Sequence, residues 1–340
     1  MLLTLRNSLV HLGTRDPLRW HPLLAVYYLT YACNYRCPYC SDGTGTPYYR
    51  LASPVLSAPE VLRVLATIRR YADFLVLTGG EPLRYPALND VLRGLPSLGF
   101  DGVVLTTIGD DVERHLTLIN EAVKHLVFSL DTLDAAKADR WLGAGPGAHA
   151  RILGQIERAR TFPGRRYEII ISSVATEDNL ADLYDVYEYA SSCGFRFALC
   201  PQLLGVKAPA RFDGDPEYRR LFDFLIARKR RGGKVHGTVA YLEHMRDLSK
   251  FLCRPSTVLA VSPVGDVFYP CLEIGRVAGN LLSEPDLDRI RAAGREQIGP
   301  EPSCDTRCHS ACALGLSLAF NHPASVLREA MLAAKAGLRR

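Results

Sequence analysis

The sequence contains no long hydrophobic run. Its longest apolar stretch, 23–32, is about half of what crosses a bilayer, so no membrane-spanning helix is expected. The start, Met1-Leu2-Leu3-Thr4-Leu5-Arg6, lacks the ordered basic, apolar and small-residue zones of a secretory signal. No repeat of a solenoid period and no low-complexity tract is present. No nucleic-acid-binding motif stands out and the net charge is only +5, which argues against RNA or DNA as a partner. Charged residues make up 23% and apolar residues 48%, so a sizeable core is available and disorder is expected only at the ends.

Cysteine, by contrast, is plentiful, with ten residues. Without a secretory signal, these read as thiols of a reducing, cytoplasmic compartment. Clustering there points to metal or redox chemistry rather than disulfides. They form three groups: Cys33, Cys37 and Cys40; Cys193 and Cys200; and Cys253, Cys271, Cys304, Cys308 and Cys312.

Strand and helix patterns alternate along the middle of the chain. Strands are expected at 24–30, 74–77, 103–106, 126–130, 169–174 and 195–199. Helices are expected at 59–71, 87–98, 111–123, 148–159, 179–192 and 216–230, the first with Val61, Leu62, Leu65 and Ile68 on one face. Such alternation gives a parallel sheet with helices outside: an α/β fold, curled into a partial (β/α)6 barrel. Ligands in such folds sit at the C-terminal ends of the strands, where both Cys33 and Gly79-Gly80 fall. The pattern changes near 245. The expected units are therefore an amphipathic segment at 1–22, the barrel at 23–244, a small cysteine-rich domain at 245–315 and a helix at 316–340.

The first cysteine group reads Cys33-Asn34-Tyr35-Arg36-Cys37-Pro38-Tyr39-Cys40. Three thiolates so close together suit three irons of a cubane cluster, a zinc site or simple core packing. Structural zinc takes four ligands, and the nearest preceding histidine is His21. The CxxxCxxC spacing directly after a first barrel strand resembles the radical S-adenosylmethionine (SAM) superfamily. That resemblance implies a [4Fe–4S] cluster on Cys33, Cys37 and Cys40, one iron left open for SAM, and Tyr39 against the adenine. Gly79-Gly80-Glu81-Pro82 after the second strand is a second match. Its glycines allow close backbone approach to the SAM methionine ammonium, and Glu81 adds negative charge. Ser129 and Asp131 at the fourth strand's end, and Ser172 and Ser173 on the fifth, are further candidates for SAM contact. The resemblance also implies an arginine–glycine pair shortly after the fourth strand, which many members of that superfamily carry. Leu142-Gly143 stands there instead, with Arg140 nearby.

The stretch from Val261 to Cys271 resembles the β-hairpin of SPASM and twitch domains, with Gly265-Asp266 as its turn. This implies one auxiliary [4Fe–4S] cluster drawing on Cys253, Cys271, Cys304, Cys308 and Cys312. The Cys304-x3-Cys308-x3-Cys312 spacing is loosely similar to that of hopanoid-lipid radical SAM enzymes. Zinc is the rival metal.

Two lesser features remain. Leu2, Leu5, Leu9 and Leu12 lie at helical spacing near Arg6, Arg15 and Arg19. They read as a helix packed across the barrel bottom, or as a peripheral membrane contact. Cys200, at the sixth strand's end, is a candidate hydrogen-atom donor. The expected function is reductive cleavage of SAM to a 5′-deoxyadenosyl radical that takes hydrogen from a small-molecule or lipid-like substrate. A reductant such as flavodoxin or ferredoxin would supply the electron. Peptide maturation and a non-catalytic iron–sulfur or zinc scaffold are the alternatives.

Overall fold

The computed structural model describes residues 2–14, 19–41, 45–51, 54–300, 308–322 and 324–325. The chain divides into two compact units. The first comprises Met1–Ser129, Ala135–Ile169 and Pro255–Pro302, and the second Leu130–Asp134, Ile170–Arg254 and Ser303–Arg340.

The first unit begins with α1 (Leu2–Gly13), β1 (Leu24–Thr30), α2 (Ala58–Arg69), β2 (Phe74–Gly79), α3 (Leu88–Leu98), β3 (Gly102–Thr107), α4 (Leu116–Ala122), β4 (His125–Ser129), α5 (Ala135–Leu142) and α6 (Ala148–Arg160). The second unit holds nearly all of β5 (Glu168–Ala175), then α7 (Asp182–Ser192), β6 (Arg196–Pro201), α8 (Pro216–Arg230) and α9 (Val239–Asp247). The chain returns to the first unit for β7 (Val258–Val261), β8 (Asp266–Tyr269), β9 (Arg276–Asn280) and α10 (Leu287–Ile298), and ends its described helices with α11 (Ala311–Asn321) in the second.

Strand order in the first unit is β4-β3-β2-β1-β7-β8-β9. β1 to β4 and β7 run parallel, while β8 and β9 are antiparallel additions that leave the sheet open at β9. In the second unit β5 and β6 pair in parallel, from Ile170↔Arg196 to Ala175↔Pro201. All six expected strands are present, and the α/β class with an open parallel sheet stands.

β1 is central and buried along nearly its whole length, which is why it reads as a continuous apolar run. It pairs with β2 on one side and β7 on the other, so Tyr27 faces both Leu77 and Val261. The segment that follows β1 therefore emerges from the middle of the sheet's C-terminal edge.

β7 also redraws the expected boundary. The stretch expected as one cysteine-rich domain at 245–315 is divided between the units at Arg254/Pro255 and Pro302/Ser303. The physical reason is pairing: a buried central strand needs hydrogen-bond partners along both edges, and β7 supplies one of them. The expected hairpin forms between β7 and β8, but its turn is Ser262-Pro263-Val264-Gly265. Gly265 sits at φ +91° and Asp266 already opens β8. Ser262 N donates to Asp266 O at 2.9 Å, closing the turn.

The helices differ from expectation in several details. α5, α9 and α10 have no counterpart in the sequence pattern, and α11 begins at Ala311, ahead of the helix expected at 316–340, most of which lies outside the described residues. On α2 the buried face is Val61, Val64, Leu65 and Ile68, with Leu62 at its margin. No described helix is long and apolar enough to cross a membrane.

α1 is anchored through polar groups. Asn7 is fully buried, and its Nδ2 donates to Pro22 O and Tyr71 O, both at 2.9 Å. Thr4 donates from both N and Oγ1 to Asp73 Oδ2, at 2.7 and 2.8 Å. Asn7→Ala takes donors from two buried carbonyls and should lower stability by roughly 1–3 kcal/mol. A fall in the urea midpoint relative to wild type checks this.

Candidate functional site

Parallel strands put their C-terminal ends on one edge. In the first unit that edge carries the Cys33–Cys40 loop after β1, Gly79-Gly80-Glu81 after β2, Thr107 at the end of β3 and Ser129 at the end of β4. The β1–β2 register shifts between Tyr28 and Thr30, and Thr30 then faces Gly79. Such a bulge re-aims the chain just before the cysteines.

The exits of β1 and β2 lie backbone on backbone. Gly80 N donates to Thr30 O at 2.8 Å and Glu81 N to Ala32 O at 2.9 Å. A Cβ on Gly79 would fall 2.2 Å from Thr30 O, and one on Gly80 would fall 2.5 Å from Tyr31 O and 2.6 Å from Ala32 O. The glycines are thus required by the approach of the chain to itself, a role the sequence reading did not give them.

Glu81 also differs from its expected setting. It is 1% exposed. Its Oε1 accepts from Thr107 Oγ1 at 2.6 Å and Leu83 N at 3.0 Å, and its Oε2 accepts from Ile108 N at 2.9 Å. Burial pushes its carboxyl above the ordinary range, with these donors opposing the shift. The carboxylate ties the end of β2 to the end of β3. Thr107 and Ile108 were missed in the sequence; the available signal was a polar residue closing a strand, as at Ser129.

The cysteine loop is fastened from its other side by α5. Arg36 N donates to Leu142 O at 2.8 Å. Gly143, at φ +61°, has room for a Cβ only 3.0 Å from Arg36 Cβ. Tyr39 meets Trp141 edge to face at 5.9 Å, and Arg36 lies over the Tyr49 ring at 4.5 Å. Arg36 Nη1 also donates to Cys33 O and Tyr35 O, which stiffens the loop. Leu142-Gly143 therefore has a mechanical use. Arg140 is exposed on α5.

Cys33, Cys37 and Cys40 are all half-buried. Cys33 Sγ accepts from Tyr35 N at 3.4 Å. Burial pushes the Cys33 thiol up, against the Tyr35 amide and the Arg36 guanidinium. Among the described residues no three His, Cys, Asp or Glu side chains converge as one metal ion would require. A cubane takes each thiolate at a different iron, so three soft donors on one short loop suit the group.

In the second unit, Asp131 Oδ1 accepts from Val174 N at 2.7 Å, and Leu130 N donates to Ser172 O at 3.0 Å. Ser173 is buried and donates to Leu130 O. Cys200 Sγ lies 3.9 Å from Ser173 O. Burial, then the Asp131 carboxylate and Cys312, push the Cys200 thiol up to about 12. Cys253, Cys308 and Cys312 belong to this unit, whereas Cys271 belongs to the first. Cys304 lies outside the described residues. Cys308 is buried, and its Sγ accepts from Ser310 N at 3.5 Å. Its neighbour His309 is fixed by Ala208 N, which donates to Nδ1 at 2.7 Å, and its own N donates to Val206 O at 2.9 Å.

Gly80→Ala should displace the segment entering Cys33. After anaerobic reconstitution, bound iron should drop several-fold. Gly154→Ala, on an open face of α6 with no atom within 4 Å of the added carbon, should retain wild-type iron. Iron assay beside circular dichroism checks both.

Comparison with known proteins agrees with this geometry. Residues 27–190 match the radical SAM superfamily. The probable GTP 3′,8-cyclase of Archaeoglobus fulgidus is 32% identical over 134 residues, which are 38% of this chain and 42% of that protein. The GTP 3′,8-cyclase of Corynebacterium glutamicum is 28% identical over 189 residues, covering 52% of this chain and 48% of that one. The match thus spans less than half the length of these curated relatives. Among solved structures, Streptococcus suis SuiB aligns with a TM-score of 0.61 at 20% identity, over 79% of this chain and 65% of SuiB. The anSMEcpe protein with bound AdoMet aligns at 0.59 with 18% identity, over 81% and 82%. Through residues 27–190, this chain belongs to the radical SAM superfamily.

Proposed function

We propose that the chain is a radical SAM enzyme acting on a small-molecule substrate. The observation that carries this reading is the Cys33–Cys40 loop, seated on the joined exits of β1 and β2 with an amide aimed at the Cys33 sulfur. Held by Cys33, Cys37 and Cys40, a [4Fe–4S] cluster with one open iron would bind SAM and supply the electron that cleaves it to methionine and a 5′-deoxyadenosyl radical.

The chain's own residues bind, orient and wall this site. Gly79 and Gly80 present main chain rather than side chains at the edge. Glu81 positions the β2 and β3 ends. Tyr39 and Trp141 offer a ring surface for adenine. Ser129, Asp131 and Ser172 are the strand-end polar groups assigned to SAM. Cys200, held as a neutral thiol, is the candidate hydrogen donor to a substrate radical. A flavodoxin or ferredoxin is the assigned reductant.

Cys253, Cys271, Cys304, Cys308 and Cys312 are the candidate ligands of an auxiliary cluster. Support comes from Cys308, whose buried sulfur receives an amide two residues on, as the Cys33 sulfur does. Hydrogen bonds to ligand sulfurs tune cluster potential.

For the substrate, the curated relatives named GTP 3′,8-cyclase favour a nucleotide over a lipid-like molecule. The likeness to SuiB bound to its precursor peptide is at 18% identity and concerns the fold, so peptide modification is the second reading.

Reconstituted under anaerobic conditions with dithionite and SAM, the wild type should release 5′-deoxyadenosine. Cys33→Ala should lose this; undiminished yield would falsify the assignment. Bound iron should be about eight per chain and fall to about four in Cys308→Ala/Cys312→Ala, with SAM cleavage still measurable. Addition of GTP should raise the 5′-deoxyadenosine yield if a nucleotide is the substrate.

A further inference from the structure

Helix α1 carries its polar residues inward and its leucines outward. Asn7 and His11 are buried, with His11 Nε2 2.9 Å from His21 O. Leu5, Leu9 and Leu12 are 59%, 60% and 62% exposed. Their spacing sets them on one face of the helix. Exposed leucines scattered singly need no explanation, but three in a row on the face turned from the protein form a patch. The helix expected across the barrel bottom does pack ahead of β1 and β2, but not through its leucines. The packing is done by Asn7, His11 and Thr4.

A second observation concerns charge. The same helix walls an open cleft of about 570 Å³ that is lined by Arg6, Arg19 and His21, with Asp288 as the only acidic lining residue among the described residues. His21 Nδ1 lies 3.8 Å from Asp288 Oδ1, but burial lowers the pKa of His21, so Asp288 keeps its charge and the two arginines outnumber it. Arg6 and Arg19 are both exposed. Cationic groups thus stand beside an outward apolar stripe, the arrangement of a helix lying in a membrane interface.

From this placement we infer that α1 docks the protein on an anionic phospholipid surface. Leu5, Leu9 and Leu12 enter the boundary between headgroups and acyl chains, while Arg6 and Arg19 bind lipid phosphate at the cleft. A second copy of the chain is the weaker occupant. Three leucine side chains provide only a fraction of the about 800 Å² per partner that a stable protein interface needs. A bilayer needs no such matched area, and anionic lipids attract each basic residue near the surface.

Vesicle co-sedimentation of the full chain tests the inference. Binding to vesicles of phosphatidylcholine with phosphatidylglycerol should exceed binding to phosphatidylcholine alone by about tenfold and should weaken at high salt. Leu5→Ser/Leu9→Ser/Leu12→Ser and Arg6→Gln/Arg19→Gln should each reduce it by about tenfold. Both variants alter exposed side chains, so circular dichroism and 5′-deoxyadenosine yield should match wild type. That separates failure of docking from failure of the catalytic reading. Equal sedimentation with and without phosphatidylglycerol, or undiminished binding by the leucine variant, would overturn the inference. So would a wild-type dimer in sedimentation velocity that the leucine variant loses, with no binding to vesicles. Inorganic phosphate bound as tightly by the leucine variant as by wild type, again without vesicle binding, would make the cleft a phosphate site and also overturn it.

Discussion

Two amide hydrogen bonds, Gly80 to Thr30 and Glu81 to Ala32, join the exits of β2 and β1 where no side chain fits between them. From that contact the rest of the candidate site follows. It fixes the direction in which the chain leaves β1, three residues before Cys33. It also carries Glu81 down among the strand ends, where its carboxylate gathers Thr107, Ile108 and Leu83. Three consecutive strands are thereby held at one level. A buried carboxylate is costly, and burial pushes the Glu81 carboxyl up while its three donors oppose the shift. The site accepts that cost in return for a rigid edge.

The opposite side of the cysteine loop is held differently. There α5 and the glycine after it supply a carbonyl, an aromatic ring and a position without a side chain, from Leu142, Trp141 and Gly143. A charged group at 142 is not needed for this hold, which uses the Leu142 main chain. A side chain at 143 would press on Arg36 and strain a backbone at positive φ. The clamp therefore uses the main chain at 142 and the missing side chain at 143.

What the sequence made legible follows from the reach of its signals. The six strands stood out because buried parallel strands are apolar along their length, as Leu24–Thr30 shows. α5 did not, because only Ala138 of its residues is buried, and it works through its C-terminal end rather than an apolar stripe. β7 is four residues long, and its partner β1 is distant in sequence, so nothing local marked it as a parallel strand. The cysteine spacing and the Gly79-Gly80 turn were readable, but Glu81 was given a ligand where the structure gives it Thr107. The leucine spacing of α1 was equally readable. Its facing was not, because the groups that receive Asn7 and His11 lie at Pro22, Tyr71 and His21.

The sulfur contacts show a division of labour between fold and loop. Strand ends can place a cysteine, but they cannot stabilise charge on its sulfur. That task falls to an amide two residues further on, Tyr35 for Cys33 and Ser310 for Cys308. Such a contact needs only a local turn, so it can be built in either unit regardless of the sheet around it. The surroundings must then keep the turn from relaxing. At Cys33, Arg36 does so by bonding the carbonyls of Cys33 and Tyr35. At Cys308, His309 does so through Val206 and Ala208. At both places the turn beside the cysteine thus carries a nitrogen-bearing side chain held to backbone.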